Sequence, residues 1–214
     1  MTERSGRRKI REQFAKRRIP ELGYYFIITD ANETEQNYML NLRDSIPKEL
    51  QGKLVIKVFK AKTIELIDEA LSLASLQPQY GEPWIIFDRD QVKNFNQIIA
   101  IAEKKGINVG WSNPCFEIWL GAYFGVMPVY SDSISCCNGF EEIYLHTTGQ
   151  NYKKYDKDIY SKLCRFGNER KAIDLARQKF IEHLRNGKTK PSDMNPATTV
   201  HVLVEEIKNK IERY

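Results

Sequence analysis

Long hydrophobic runs are missing from this 214-residue chain. None approaches the roughly twenty apolar residues that a membrane-crossing helix needs, which excludes the helical membrane classes and a membrane partner. The basic N-terminus has no apolar core behind its charges, so no secretory signal is read there and the expected location is the cytoplasm. Cysteine is sparse: Cys115, Cys136, Cys137 and Cys164 show no CxxC spacing. That spacing suggests neither a zinc site nor a disulfide framework, only free thiols in a reducing compartment. Histidine is sparser still, and His146, His183 and His201 stand far apart. Each reads as a surface or hydrogen-bonded core residue before it reads as a ligand or base, with His201 the least bland of them. Internal repeats and low-complexity tracts are absent.

What is present is a globular composition, 42% hydrophobic and 29% charged, enough for one cored domain with an added helical part. The net charge of +5 is concentrated in one place. Residues 1–18 hold eight basic side chains against Glu3 and Glu12, which makes that stretch +6 and leaves the remainder at −1. An arm carrying Arg4, Arg7, Arg8, Lys9, Arg11, Lys16, Arg17 and Arg18 can neutralise phosphates and release their counterions. The alternative is a solvated tail.

The apolar pattern divides the chain into a basic arm (1–20), an α/β core (21–125) and an irregular insertion with a helical extension (126–214). Residues 24–29, 53–60, 84–87 and 107–111 read as strands, the second at a sheet edge because lysines flank it. Residues 33–44, 64–74, 94–105 and 112–124 read as helices, with Thr63 capping the second and Gly106 closing the third. Alternation of this kind implies a parallel sheet flanked by helices. Residues 126–160, rich in Ser, Tyr, Asn and charge, read as irregular. Helices are expected over 169–184 and 197–213, with Asn195-Pro196 starting the latter.

Three acidic stretches follow the strands. Asp88-Arg89-Asp90 ends the strand 84–87, and residues two apart on an extended strand end face one side. Two such carboxylates and a third acid suit magnesium or manganese, which would orient a phosphate. Asp30 ends the first strand, where open α/β sheets place catalytic groups. Glu33 and Glu35 follow it and are equally explained as acids favoured by a helix N-terminus. Glu117, in Ser112-Asn113-Pro114-Cys115-Phe116-Glu117, has two readings: a first-turn capping acid, or a buried carboxylate that needs a cation. Tyr152-Lys153-Lys154-Tyr155 is a basic-aromatic cluster of the kind that stacks bases and contacts phosphates, or else a solvated loop.

Taken together, these motifs resemble the RloB family. The resemblance is carried by the basic arm, Ile27 to Tyr38, Phe87-Asp88-Arg89-Asp90, Ser112 to Trp119, Tyr152-Lys153-Lys154 and Asn195-Pro196-Ala197-Thr198-Thr199-Val200-His201. It implies a Toprim-like α/β fold, a parallel-rich sheet flanked by helices with a C-terminal helical extension. It also implies a Mg2+-dependent (or Mn2+-dependent) nuclease acting on RNA or DNA in anti-phage defence beside an ATPase partner. On that reading Asp88 and Asp90 bind metal, Asp30 is the third ligand or a general acid/base, Glu117 supports them, and the arm with Lys153 and Lys154 holds nucleic acid. Family members typically read Glu-Gly-Glu-Lys-Thr-Glu where this chain has Asp30-Ala31-Asn32-Glu33-Thr34-Glu35. Either Asp30 serves in place of that first glutamate, or Glu33 substitutes, or the chain is a non-catalytic subunit docking on the ATPase.

Overall fold

The computed structural model describes residues 20–30, 33–76, 81–90 and 92–214. Four strands lie parallel: β1 (Gly23–Thr29), β2 (Leu54–Lys60), β3 (Gly81–Asp88) and β4 (Asn108–Asn113). A two-residue strand, β5 (Ala197–Thr198), joins β4 antiparallel through Ser112↔Thr198, and the five-stranded order is β2-β1-β3-β4-β5. The fold is thus α/β with a mostly parallel sheet, as the alternating pattern implies, and β2 is an edge strand as its lysines suggest.

The strands are buried on both faces, which is why they read as unbroken apolar runs rather than alternating ones. Tyr25, Ile27, Trp84 and Ile86 point into one core, and Phe26, Ile28, Ile85 and Phe87 into the other. Helices α2 (Leu66–Leu76) and α3 (Phe95–Lys104) cover the second face through Leu66, Ala70, Phe95 and Ile99. The first face takes α1 (Glu33–Asp44), α4 (Glu117–Ala122), α5 (Ser133–Thr148), α6 (Ile159–Phe166), α7 (Glu169–Arg185) and α8 (Val200–Glu212). The larger, aromatic core lies there. Tyr38 meets Phe116, Trp119, Tyr123 and Tyr160 edge-on at 5.3–6.4 Å, the geometry that ring quadrupoles favour.

Several local expectations are corrected. Residues 126–160 are irregular only in part: 126–132 and 149–158 carry no helix or strand, but α5 occupies Ser133–Thr148. Cys136, Phe140 and Tyr144, four apart and all buried, give it one packed edge. Asp132 caps its start by accepting from the Ser135 N–H at 2.7 Å, and Gly149, at φ 70°, closes its end. Apolar Ile134 and Leu145 stand exposed on other faces, which blurs the period in the sequence. The helix expected from Ser112 starts only at Glu117, because β4 continues through Asn113. Ser112 hydrogen-bonds Thr198 across the sheet, and the Asn113 amide donates to the Pro191 and Ser192 carbonyls, so neither caps a helix. The peptide bonds Asn113–Pro114 and Asn195–Pro196 are both cis. Asn195-Pro196 leads into β5, and the last helix starts three residues later than expected, at Val200. Thr63 opens a short 3-10 turn and sends its hydroxyl to Asp30 rather than to a helix end.

Candidate functional site

The chain leaves β1 for β2 on one side of the sheet and returns to β3 on the other. In an open parallel sheet, the carboxyl ends of strands at such a reversal open onto a crevice. Asp30 stands directly after β1 and Asp88 ends β3, so both flank it. The Asp30 N–H donates to the Ile86 carbonyl at 3.0 Å, and its Oδ2 accepts from the Thr63 hydroxyl at 2.5 Å. Beyond Asp88 the backbone is tied to the end of β4: Arg89 N–H reaches Ser112 O at 2.9 Å and Asp90 N–H reaches Pro114 O at 3.0 Å. Asp88 is buried and Asp90 exposed, with the Asp90 carboxylate accepting from the Ser133 hydroxyl at the start of α5.

Two further carboxylates reach the same place from the helices. Glu35 projects from the first turn of α1, is 1% exposed, and has an Oε2 with no hydrogen-bond partner. Glu117 opens α4 and is equally sealed off. Its Oε1 accepts from the Tyr152 hydroxyl at 3.0 Å and lies 3.6 Å from the Lys154 ammonium. Tyr152 also shares a hydrogen bond with Thr34 at 3.1 Å, which joins α1 to the loop 150–155.

These acids perturb one another. Burial, then the charges of Glu117, Asp90 and Asp30, push the Asp88 carboxyl up to about 7, although the Phe116 N–H partly offsets them. Burial, followed by Asp88, Glu117 and Asp30, holds Glu35 well above the usual carboxylate range. Several buried carboxylates with an orphaned oxygen among them are an arrangement that a cation relieves. The donors are all oxygen, which suits a hard divalent ion such as magnesium or manganese. An open cleft of about 560 Å3 lies outside the cluster; Asp88, Asp90, Arg89, Lys154, Cys115 and Cys137 are among its walls.

A family model described as RloB-like protein matches residues 25–207. The chain belongs to the RloB-like family. Neither a curated protein nor a solved structure matches it.

Within this RloB-like domain, Asp30, Asp88 and Glu117 come together, with Asp90 at the rim. Glu33 is exposed and does not join them. The capping reading of Glu117 fails, since its carboxylate is engaged by Tyr152 and Lys154. Tyr152 is no stacking platform: it is buried against Phe140, with ring centres 4.8 Å apart. Lys153 and Lys154 are exposed beside it. Arg7, Arg8, Lys9, Arg11, Lys16, Arg17 and Arg18 lie outside the described residues, as do Ala31 and Asn32. The closing Asn-Pro-x-Thr-Thr-Val-His run is a structural device. Thr199 Oγ1 accepts from Trp111 N–H and donates to Val109 O, each at 2.9 Å, and the His201 ring sits 2.9 Å from Thr198 O. Burial holds the His201 imidazole below its ordinary value, as suits a core residue whose ring is hydrogen-bonded to the backbone.

The residue that sequence reasoning undervalued is Glu35. A signal existed: Glu35 falls on the same helical stripe as Tyr38, Met39 and Leu42, all buried. A carboxylate on an apolar stripe needs a partner, whereas one that merely favours a helix N-terminus points to solvent.

Proposed function

We propose that this RloB-like protein is a Toprim-like, divalent-metal-dependent nuclease acting on RNA or DNA as the effector of an anti-phage defence pair. The observation that supports it best is the buried carboxylate set Glu35, Asp88 and Glu117 beside Asp30, at the crevice where the parallel strands reverse. Asp88, Asp30 and Glu35 would hold magnesium or manganese. When bound, that ion would supply Lewis-acid stabilisation of charge on a phosphate oxygen. The residues of the chain do the rest. Asp88 and Asp90 present carboxylate oxygens to the cleft from which a phosphodiester would approach. Arg89 lines the same cleft and can pair with a non-bridging phosphate oxygen. Lys153 and Lys154, with the basic residues 7–18, supply positive charge for the backbone of the nucleic acid. Glu117, fixed by Tyr152, keeps its place without entering the cleft.

The test is cleavage of tRNA or plasmid by purified protein in magnesium or manganese, with and without chelator. Activity should require the metal and disappear in Asp88→Asn and Glu35→Gln while Glu33→Gln retains it. Cleavage that survives in Asp88→Asn and Glu35→Gln sinks the proposal. A second reading, a non-catalytic subunit that docks on an ATPase, draws on one observation: Asp30 stands where the family typically has a glutamate, and its Oδ2 is engaged by Thr63. That reading expects metal binding without cleavage, and phage protection that persists in the same variants.

A further inference from the structure

The sequence spaces its cysteines without any metal-binding pattern, yet the fold closes the gap between Cys115 and Cys137. Their sulfurs are 4.0 Å apart although 22 residues separate them. One carboxylate oxygen of Glu117 joins them, so that the three ligand atoms lie within 4.8 Å of one another. A tetrahedral zinc with bonds of about 2.3 Å to two sulfurs holds them about 3.8 Å apart. The spacing found is close to that, with no rearrangement of the backbone required. Cys115 lies in the short connection between β4 and α4, and Cys137 sits one turn into α5. Both cysteines line the cleft, from which solvent or a ligand would reach a bound ion.

We propose that Cys115, Cys137 and Glu117 form a binding site for a thiophilic divalent cation, zinc above all, on the wall of the cleft beside the carboxylate cluster. The site does not depend on the nuclease reading; it shares one residue, Glu117, with it. Soft thiolates select zinc, cobalt or cadmium over magnesium, so the two positions take different ions. A positive charge already sits beside this position: the Lys154 ammonium lies 3.6 Å from Glu117 Oε1. Its side chain is 57% exposed, so it can swing into water as the cation arrives. Metal binding by thiolates displaces two thiol protons into solvent, and no electron is transferred.

Cobalt(II) titration of the reduced full chain tests this. One equivalent should produce thiolate-to-cobalt charge transfer and the visible bands of tetrahedral cobalt, and zinc should bleach both. Cys115→Ser and Cys137→Ser should each weaken cobalt binding by more than about 100-fold, the most that loss of a mere supporting residue costs at such sites. Cys164→Ser, remote on α6, should leave it unchanged. Cys137 is only partly buried, so its serine variant keeps the test valid if Cys115→Ser misfolds. Glu35→Gln, which removes a ligand of the hard-metal site alone, should retain the cobalt bands. No thiolate band in the wild-type chain overturns the proposal. So does a band that persists in Cys137→Ser or vanishes in Cys164→Ser.

Discussion

Replacing Asp88 with asparagine removes one negative charge from the buried cluster while nearly preserving shape and the acceptor for the Phe116 N–H. With its carboxyl raised from 3.8 to about 7 in the fold, Asp88 keeps a proton that the unfolded chain has already lost between those pH values. Stability of the metal-free protein therefore falls as pH rises through that window, and the loss is complete above about pH 7. The shift corresponds to about 4 kcal/mol, an upper bound because neighbouring acids share it. For a chain of this size each 1 kcal/mol moves Tm by about 2–4 °C. In chelator at pH 8, Asp88→Asn should melt several degrees higher than the wild type, and the gap should close toward pH 4. Millimolar magnesium or manganese should raise the wild-type Tm at pH 8 and leave the variant unmoved. Thermal melts followed by circular dichroism or calorimetry over pH 4–8 read all of this. A variant that melts lower than the wild type at pH 8 in chelator would refute the claim that the cluster is electrostatically strained. A metal-induced shift preserved in the variant would refute the placement of the ion on Asp88.

Glu35→Gln should act in the same direction, raising Tm in chelator at pH 8, whereas Glu33→Gln, two residues away and exposed, should change it by less than about 0.5 kcal/mol in denaturant unfolding. Tyr152→Phe removes a buried donor to a charged acceptor and should cost about 1.5–3 kcal/mol, read as a lower urea midpoint with an unchanged m value.

The sheet was legible because parallel strands buried on both faces write themselves as apolar runs, and Ile27, Ile85 and Phe87 sit inside such runs. The positions of Asp30 and Asp88 followed from the strand ends. Helix α5 was hidden, since its buried edge is only Cys136, Phe140 and Tyr144 while apolar Ile134 and Leu145 face solvent. The helix assigned to Ser112 failed because Asn and Pro before an apolar run also fit a strand end: Asn113 uses its amide on the 3-10 turn Pro191–Asp193, a partner 78 residues away that no local pattern reveals. Glu35 was undervalued for a related reason. Its neighbours Asp88 and Glu117 come from β3 and α4, so its burial among like charges is a tertiary property. The thiol pair Cys115 and Cys137 is the same lesson in sulfur, invisible until α5 is laid against the end of β4.

The Tyr152 phenol, hydrogen-bonded to Thr34 on α1 and to Glu117 on α4, makes the loop 150–155 a lever with two arms. Thr34 precedes Glu35 directly, so displacing that loop would break hydrogen bonds at or beside two of the buried acids. The exposed Lys153 and Lys154 stand on the same loop, next to that shared hydrogen-bonding phenol.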